Sequence, residues 1–173
     1  MIATKIALEA PPEQLTAHPM AAEFPGSVPN DAPRTTKTVT IDGNHDGLST
    51  AYAYSAPQRA AMRSTGLYAA PGDEIVITRP SGSEAGLGVQ IGAHTDRLWN
   101  KDEWERYPRV VRSEDLEDTE TRVGSGLGGP IYITVEAGSA LGPVEIEIQG
   151  GVEMPYFVLG ESDPADWPTA RTA

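Results

Sequence analysis

Ser64-Thr-Gly-Leu-Tyr-Ala-Ala-Pro-Gly72, followed at once by Asp73-Glu-Ile-Val-Ile-Thr78, is the stretch from which the fold can be read. Pro71 presets one backbone angle and Gly72 accepts a positive φ, so Pro71-Gly72 is a strong turn. Ile75 and Ile77 then alternate with Glu74, Val76 and Thr78, the period of a strand with at least one buried face. Val89-Gln-Ile-Gly-Ala-His-Thr-Asp-Arg-Leu-Trp99 opens as a second strand, and Gly128-Gly-Pro-Ile-Tyr-Ile-Thr-Val135 holds a third. Ile131, Ile133 and Val135 share one face of that third strand. Val144, Ile146 and Ile148 alternate more cleanly still with Glu145, Glu147 and Gln149, as in a sheet with one dry and one wet face.

Further strands are predicted over residues 37–41, 73–79, 87–93, 109–112 and 152–159, the last with Pro155 at an edge or bulge. Glu114, Asp115, Glu117, Asp118 and Glu120 crowd one segment, read as a solvated loop or edge with a cation site as the alternative. About six to eight short strands separated by turns predict a mainly β chain, a β-sandwich with Greek-key or jelly-roll-like connections. The sandwich is expected over residues 36–167. Residues 1–35 read as an extended tail or linker, because Pro11, Pro12, Pro19, Pro25, Pro29 and Pro33 interrupt every candidate helix or strand. Leu15, Met20 and Phe24 are the side chains in it able to pack on a domain, and His18 is expected to face solvent. Residues 48–63 are the least legible. Pro57 at a first helical position, followed by good helix formers, fits a short surface helix, a long loop serves equally, and Tyr52 and Tyr54 alternate as in a strand.

Composition narrows the function. Lys and Arg number 13 against 25 Asp and Glu, a formal charge of -12. A nucleic-acid binder needs a basic face to replace phosphate counterions, and anionic membrane surfaces attract basic segments, so neither is an expected partner. There are no cysteines, which excludes disulfides and thiol ligands. The first residues lack the apolar core of a signal peptide, and no apolar stretch has the length of a transmembrane helix.

The chemistry-bearing motifs are few. Asp42-Gly-Asn-His-Asp-Gly47 matches the opening of a calcium loop, in which Asp42, Asn44 and Asp46 would offer hard oxygens at alternate positions. The twelfth position, where such a loop places a bidentate Glu, is Ala53; a plain turn rich in Gly, Asn and Asp explains the same residues. Gly124-Ser-Gly-Leu-Gly-Gly129 satisfies Gly-x-Gly-x-x-Gly, but Pro130 and a strand follow where a dinucleotide site needs a helix N-terminus, so these glycines are read as a loop. No Gly-x-Ser-x-Gly elbow and no phosphate-binding Gly-Lys-Ser/Thr occur. His18, His45 and His94 are the only histidines, and none belongs to His-Glu-x-x-His. No catalytic residue is assigned.

His94-Thr-Asp96, with Trp99, Trp104 and Tyr107, is the richest cluster. In one reading the loop caps the sandwich, with Leu98 and Trp99 buried and His94 or Asp96 satisfying backbone groups. In the other, Trp99, Trp104 and Tyr107 stack on sugar rings while Asp96, Asp102 and Glu103 accept hydroxyl hydrogen bonds, with His94 beside them.

The three blocks quoted first, together with Trp104-Glu-Arg-Tyr-Pro108, Met154-Pro-Tyr-Phe-Val-Leu-Gly160 and Trp167, resemble the enhancin-like zinc metallopeptidases, the family of viral enhancins and bacterial mucin-degrading proteases. The resemblance covers about residues 64–167, the β-rich segment ahead of the catalytic zinc helix, in the family's order. It implies a non-catalytic part of a zinc enzyme acting on mucin-type glycoproteins, supporting a catalytic domain or positioning substrate. Residues 168–173 would begin the link to that catalytic domain, zinc would belong to the parent enzyme, and the parent would be secreted or on the cell surface. A free-standing module for glycans or glycoproteins and a purely structural scaffold are the alternatives.

Overall fold

The computed structural model describes residues 9–47, 60–79, 86–155, 157 and 159–166. Within them the strands are β1 (Thr35–Asn44), β2 (Ala61–Ala69), β3 (Glu74–Thr78), β4 (Leu87–Ile91), β5 (Arg112–Asp115), β6 (Glu120–Gly124), β7 (Gly129–Val135) and β8 (Ala140–Glu153). One layer runs β1-β8-β3-β6 and the other β5-β4-β7-β2, every pairing antiparallel. Among these strands only β4 and β5 are neighbours both in sequence and in a sheet; the other connections cross between layers. The chain is thus mainly β, a sandwich whose sheet curls into a near-barrel.

The alternation read from the sequence points where expected. Ile75, Ile77, Ile133, Ile146 and Ile148 are at most 1% exposed and meet between the layers. Removing each such side chain from water contributes about 1.5–3 kcal/mol. Thr38, Thr40, Glu145 and Glu147 lie on the wet face, where Thr38 pairs with Glu147 and Thr40 with Glu145.

Strand β8 differs from the expectation. Residues 144–149 and the first two of the predicted strand 152–159 belong to one strand that ends at Glu153, two residues before Pro155; Met154 and Pro155 lie outside it, and Tyr156 and Val158 lie outside the described residues. Its Glu147–Gln149 segment pairs with β3 in one layer, and Val152 and Glu153 pair with β2 in the other. The change of layer falls at Gly150 and Gly151. Gly150 has φ +92°, and a Cβ there would stand 2.6 Å from the Glu74 carbonyl oxygen; at Gly151 it would lie 3.1 Å from Leu67 Cβ. Strands that serve two sheets turn the corner at such bends.

Other differences are local. Residues 61–63, expected as helix or loop, belong to β2, because pairing with β7 overrides the helix preference of Ala and Arg. The strand predicted at 109–112 starts only at Arg112: Val110 and Val111 are both buried, which an alternating strand with one wet face does not allow. The acidic segment is edge structure, since β5 pairs only with β4 and β6 only with β3. Tyr52, Tyr54 and the remainder of the segment through Arg59 lie outside the described residues, as do Trp167 and residues 168–173.

The proline-rich segment is not an extended tail over its described part, residues 9–34. Two 3-10 turns (Pro12–Gln14 and Pro19–Ala22) shape it into a strap across one end of the sandwich. Prolines stop it from pairing as a strand, but Leu15 and Ala21 are buried against the sandwich. His18 N donates to Gly126 O at 2.7 Å, and the buried Arg112 donates to Ala10 O at 2.6 Å. Tyr68 Oη donates to Gly26 O at 2.9 Å, and Arg34 pairs with Asp73 at 2.7 Å. His18, expected in solvent, is half-buried and its Nδ1 accepts from Met20 N at 3.2 Å.

Two measurements test this arrangement. Gly150→Ala should lower the unfolding free energy by at least about 2 kcal/mol in urea, since a side chain at positive φ meets a carbonyl; a loss under about 0.5 kcal/mol would remove the corner from Gly150. Burial holds the Tyr68 phenol above its ordinary pKa of 10.0. The folded state therefore keeps that proton to higher pH than the unfolded chain, so this contribution is complete below about pH 10 and is lost as pH rises through the folded value. Tyr68→Phe should flatten the alkaline limb of the stability–pH curve.

Candidate functional site

Loop 92–111 leaves β4 at Ile91 and returns to β5 at Arg112, carrying His94, Asp96, Trp99, Trp104 and Tyr107. Gly92 starts it: with φ +94°, a Cβ there would meet Val110 O at 2.5 Å, so the two ends of the loop touch backbone to backbone. Within the loop Leu98 N donates to Pro108 O and Lys101 N to Leu98 O. Trp104 Nε1 donates to Lys101 O at 3.2 Å.

Trp99 and Trp104 form an edge-to-face pair, centroids 5.3 Å apart with planes at 89°. They are 45% and 50% exposed, so the expectation of a buried Trp99 does not hold. Leu98 is half-buried. The reason is spacing: Val110 and Leu127, with Ala21 of the strap, already fill the small core under the loop, and the indoles lie outside it. Because the Trp104 N–H is used internally, that ring offers a ligand its carbon surface rather than a donor.

The other candidates face the strap. Tyr107 is half-buried with the His18 ring against it, centroids 4.9 Å apart, and exposed His94 lies 5.2 Å from Phe24. Asp96 is an ion-pair member, its Oδ2 2.6 Å from Arg106 Nη2. Arg106 Nη1 also donates to Tyr107 O at 2.9 Å, and its guanidinium stands 5.6 Å from the Phe24 ring centroid. His94, Asp96 and Tyr107 therefore shape the loop, while Trp99 and Trp104 form its exposed surface.

The sequence offers no sign of the role of Arg106, and it marks Phe24 as able to pack on a domain without showing that the loop is its partner. Phe24 is one of two phenylalanines in the chain, and a large apolar ring in a proline-rich segment is the signal that this segment packs on the domain.

The Asp42 loop is held by hydrogen bonds. Asp42 Oδ1 accepts from Asn44 N at 3.0 Å and from Asn44 Nδ2 at 2.8 Å. Asp42 Oδ2 pairs with Arg63 at 3.4 Å, and Arg63 also donates to the carbonyls of Asp42 and Asn44. Gly142 N donates to Asn44 Oδ1 at 3.0 Å. Asp46 lies exposed beyond them. Asp42 and Asn44 are brought together, with a guanidinium as the cation between strands.

The acidic segment is likewise interleaved with arginines. Arg112 pairs with Glu114, and Arg122 with Glu120 and Glu74. Arg79 donates to the carbonyls of Glu117 and Asp118. A zinc centre does not fit the residues present: the sequence has no His-Glu-x-x-His, and among the described residues no three His, Cys, Asp or Glu side chains form a metal-holding group.

The fold has known counterparts. The model for the N-terminal domain of M60-like peptidases matches residues 30–149, and the chain belongs to that family. TRPM8 channel-associated factor 2 of Homo sapiens is 39% identical over 105 residues, 60% of this chain and 11% of that protein. The TRPM8 channel-associated factor homolog of Xenopus laevis is 34% identical over 131 residues, 75% of this chain and 13% of that protein. The chain thus spans about an eighth of these curated relatives, which are animal proteins, so such domains are not confined to viruses and bacteria. Among solved structures, the IMPa metallopeptidase from Pseudomonas aeruginosa aligns with TM-score 0.61 at 22% identity, over 89% of this chain and 17% of that one. The M60 catalytic domain of Clostridium perfringens ZmpC, in complex with the sialyl T antigen, aligns with TM-score 0.55 at 18% identity, over 78% of this chain and 28% of that one. At these identities the likeness is one of fold.

Because hydrogen bonds already occupy the oxygens of Asp42 and Asn44, saturating calcium should leave the melting temperature unchanged. A rise that disappears in Asp46→Ala would show that the loop opens to bind the ion.

Proposed function

We propose that this chain is the non-catalytic β-sandwich module of an M60-like peptidase acting on mucin-type glycoproteins, and that it helps the catalytic domain by positioning the glycosylated substrate. The supporting observation is the exposed Trp99–Trp104 pair on a domain of this family. Sugar rings have apolar C–H faces, and two indoles at a right angle offer a corner with carbon surface on both sides. The solved relatives lend support by the company they keep: IMPa in complex with an O-glycopeptide, and IMPa in complex with T-antigen. In this reading zinc and its activated water belong to the catalytic domain, with which the sandwich is a partner, and the parent acts outside the cell or at its surface.

A second reading has the sandwich as a structural scaffold whose partner is another polypeptide. The names of the TRPM8 channel-associated relatives favour it. A free-standing glycan-binding module differs from the first reading only in having no peptidase to serve.

Isothermal titration of the chain with a mucin-type O-glycopeptide separates these. Saturable binding is expected, weakened at least about tenfold in Trp104→Ala with folding intact. No saturable binding by the unaltered chain would sink the glycan role and leave the scaffold.

A further inference from the structure

We infer that Phe24, in the N-terminal strap, is a positioning residue for the Trp99–Trp104 surface, acting through Arg106. The inference deepens the glycan-contact reading and rests on it only for the ligand half of the test below.

Trp99 and Trp104 lie between two loop positions ten residues apart, Asp96 and Arg106, which an ion pair of 2.6 Å draws together. That pair alone is a weak clamp, since Asp96 is 58% exposed and exposed pairs lose most of their energy to solvent and side-chain entropy. What makes it rigid is the other side of Arg106. Its side chain is only 14% exposed, with the guanidinium over the Phe24 ring at 5.6 Å and Nη1 on Tyr107 O. A guanidinium placed over an aromatic face and partly shielded from water is held in orientation as well as attracted. Phe24 also packs against His94 at 5.2 Å, two residues before Asp96. One strap ring thus touches both arms of the loop, near 94–96 on one side and at 106 on the other.

The strap is itself anchored independently of the loop. Leu15 is buried, His18 N is bonded to Gly126 O, and Tyr68 Oη to Gly26 O. The order of action runs from sandwich to strap, from strap to Arg106, from Arg106 to Asp96, and so to the angle between the indoles. Among the described residues Phe24 makes no ring contact with either indole, so its effect on them is indirect.

Two indoles 5.3 Å apart couple their excited states, and the resulting couplet in ultraviolet circular dichroism reports their mutual angle without any ligand. In a Trp167→Phe background the signal comes from Trp99 and Trp104 alone. Phe24→Ala should reduce the couplet by more than about half and weaken O-glycopeptide binding about tenfold, while the sheet signal and cooperative unfolding persist. Phe24→Tyr, which keeps the aromatic face, should restore both. Arg106→Gln, which leaves the strap whole, should reproduce the loss and serves as the second variant if Phe24→Ala does not fold. A couplet unchanged in Phe24→Ala, or in Arg106→Gln when the former is unfolded, overturns the inference whatever the glycan result. A couplet that falls in a protein whose unaltered form binds no glycopeptide upholds the positioning role and rejects the glycan reading.

Discussion

Strand β8 runs in one layer along β1 and β3 and finishes in the other beside β2, and it can do so only where no side chain stands at Gly150. The backbone there passes the Glu74 carbonyl so closely that any Cβ would overlap it. Everything else follows from that bend. Ile146 and Ile148 reach the core from one layer, Val152 pairs with Tyr68 in the other, and the near-barrel closes along this seam. A two-layer core needs its inward faces in register on both sides, since slipping one strand by a residue turns its apolar set to solvent. One strand shared by both layers fixes that register directly.

The end of the sandwich closed by the strap is where rigidity and variability meet. The glycine loop 124–129 lies buried beneath it, and its carbonyl at Gly126 receives the His18 amide. Gly72 works in the same way: a Cβ there would stand 2.5 Å from Ala17 N, so the turn that organises the first strands also leaves room for the strap. Glycine is required at these places for approach of backbone to backbone, and not for binding phosphate. Loop 92–111 rests on this base with its aromatic side chains divided, Tyr107 toward the strap and the two indoles toward solvent.

Charge is distributed to match. The wet face of the β1-β8-β3-β6 layer carries threonine and glutamate, which keeps its open edges soluble and discourages pairing with another chain. Arg79, Arg112 and Arg122 are interleaved with the acidic segment around β5 and β6, and Arg63 bridges β2 and the end of β1. These four arginines stand where a sheet edge or a loop has carbonyls and carboxylates to hold together.

Much of this was legible in the residues themselves. Two-residue alternation at 74–78, 130–136 and 144–149 determined that the chain is β and which side chains face inward, because side-chain direction in a strand is a local property. That the chain holds no cysteine and no His-Glu-x-x-His is likewise read from the sequence alone. That β8 is one strand serving two layers, that the proline-rich segment is a strap, and that Asp96 is held by Arg106 over Phe24 emerges only in the folded chain. Each of those depends on partners far apart in the chain, such as Arg112 with Ala10 at a separation of 102 residues. No local pattern encodes such a meeting. It exists only once loop closure has been compensated by the burial it allows.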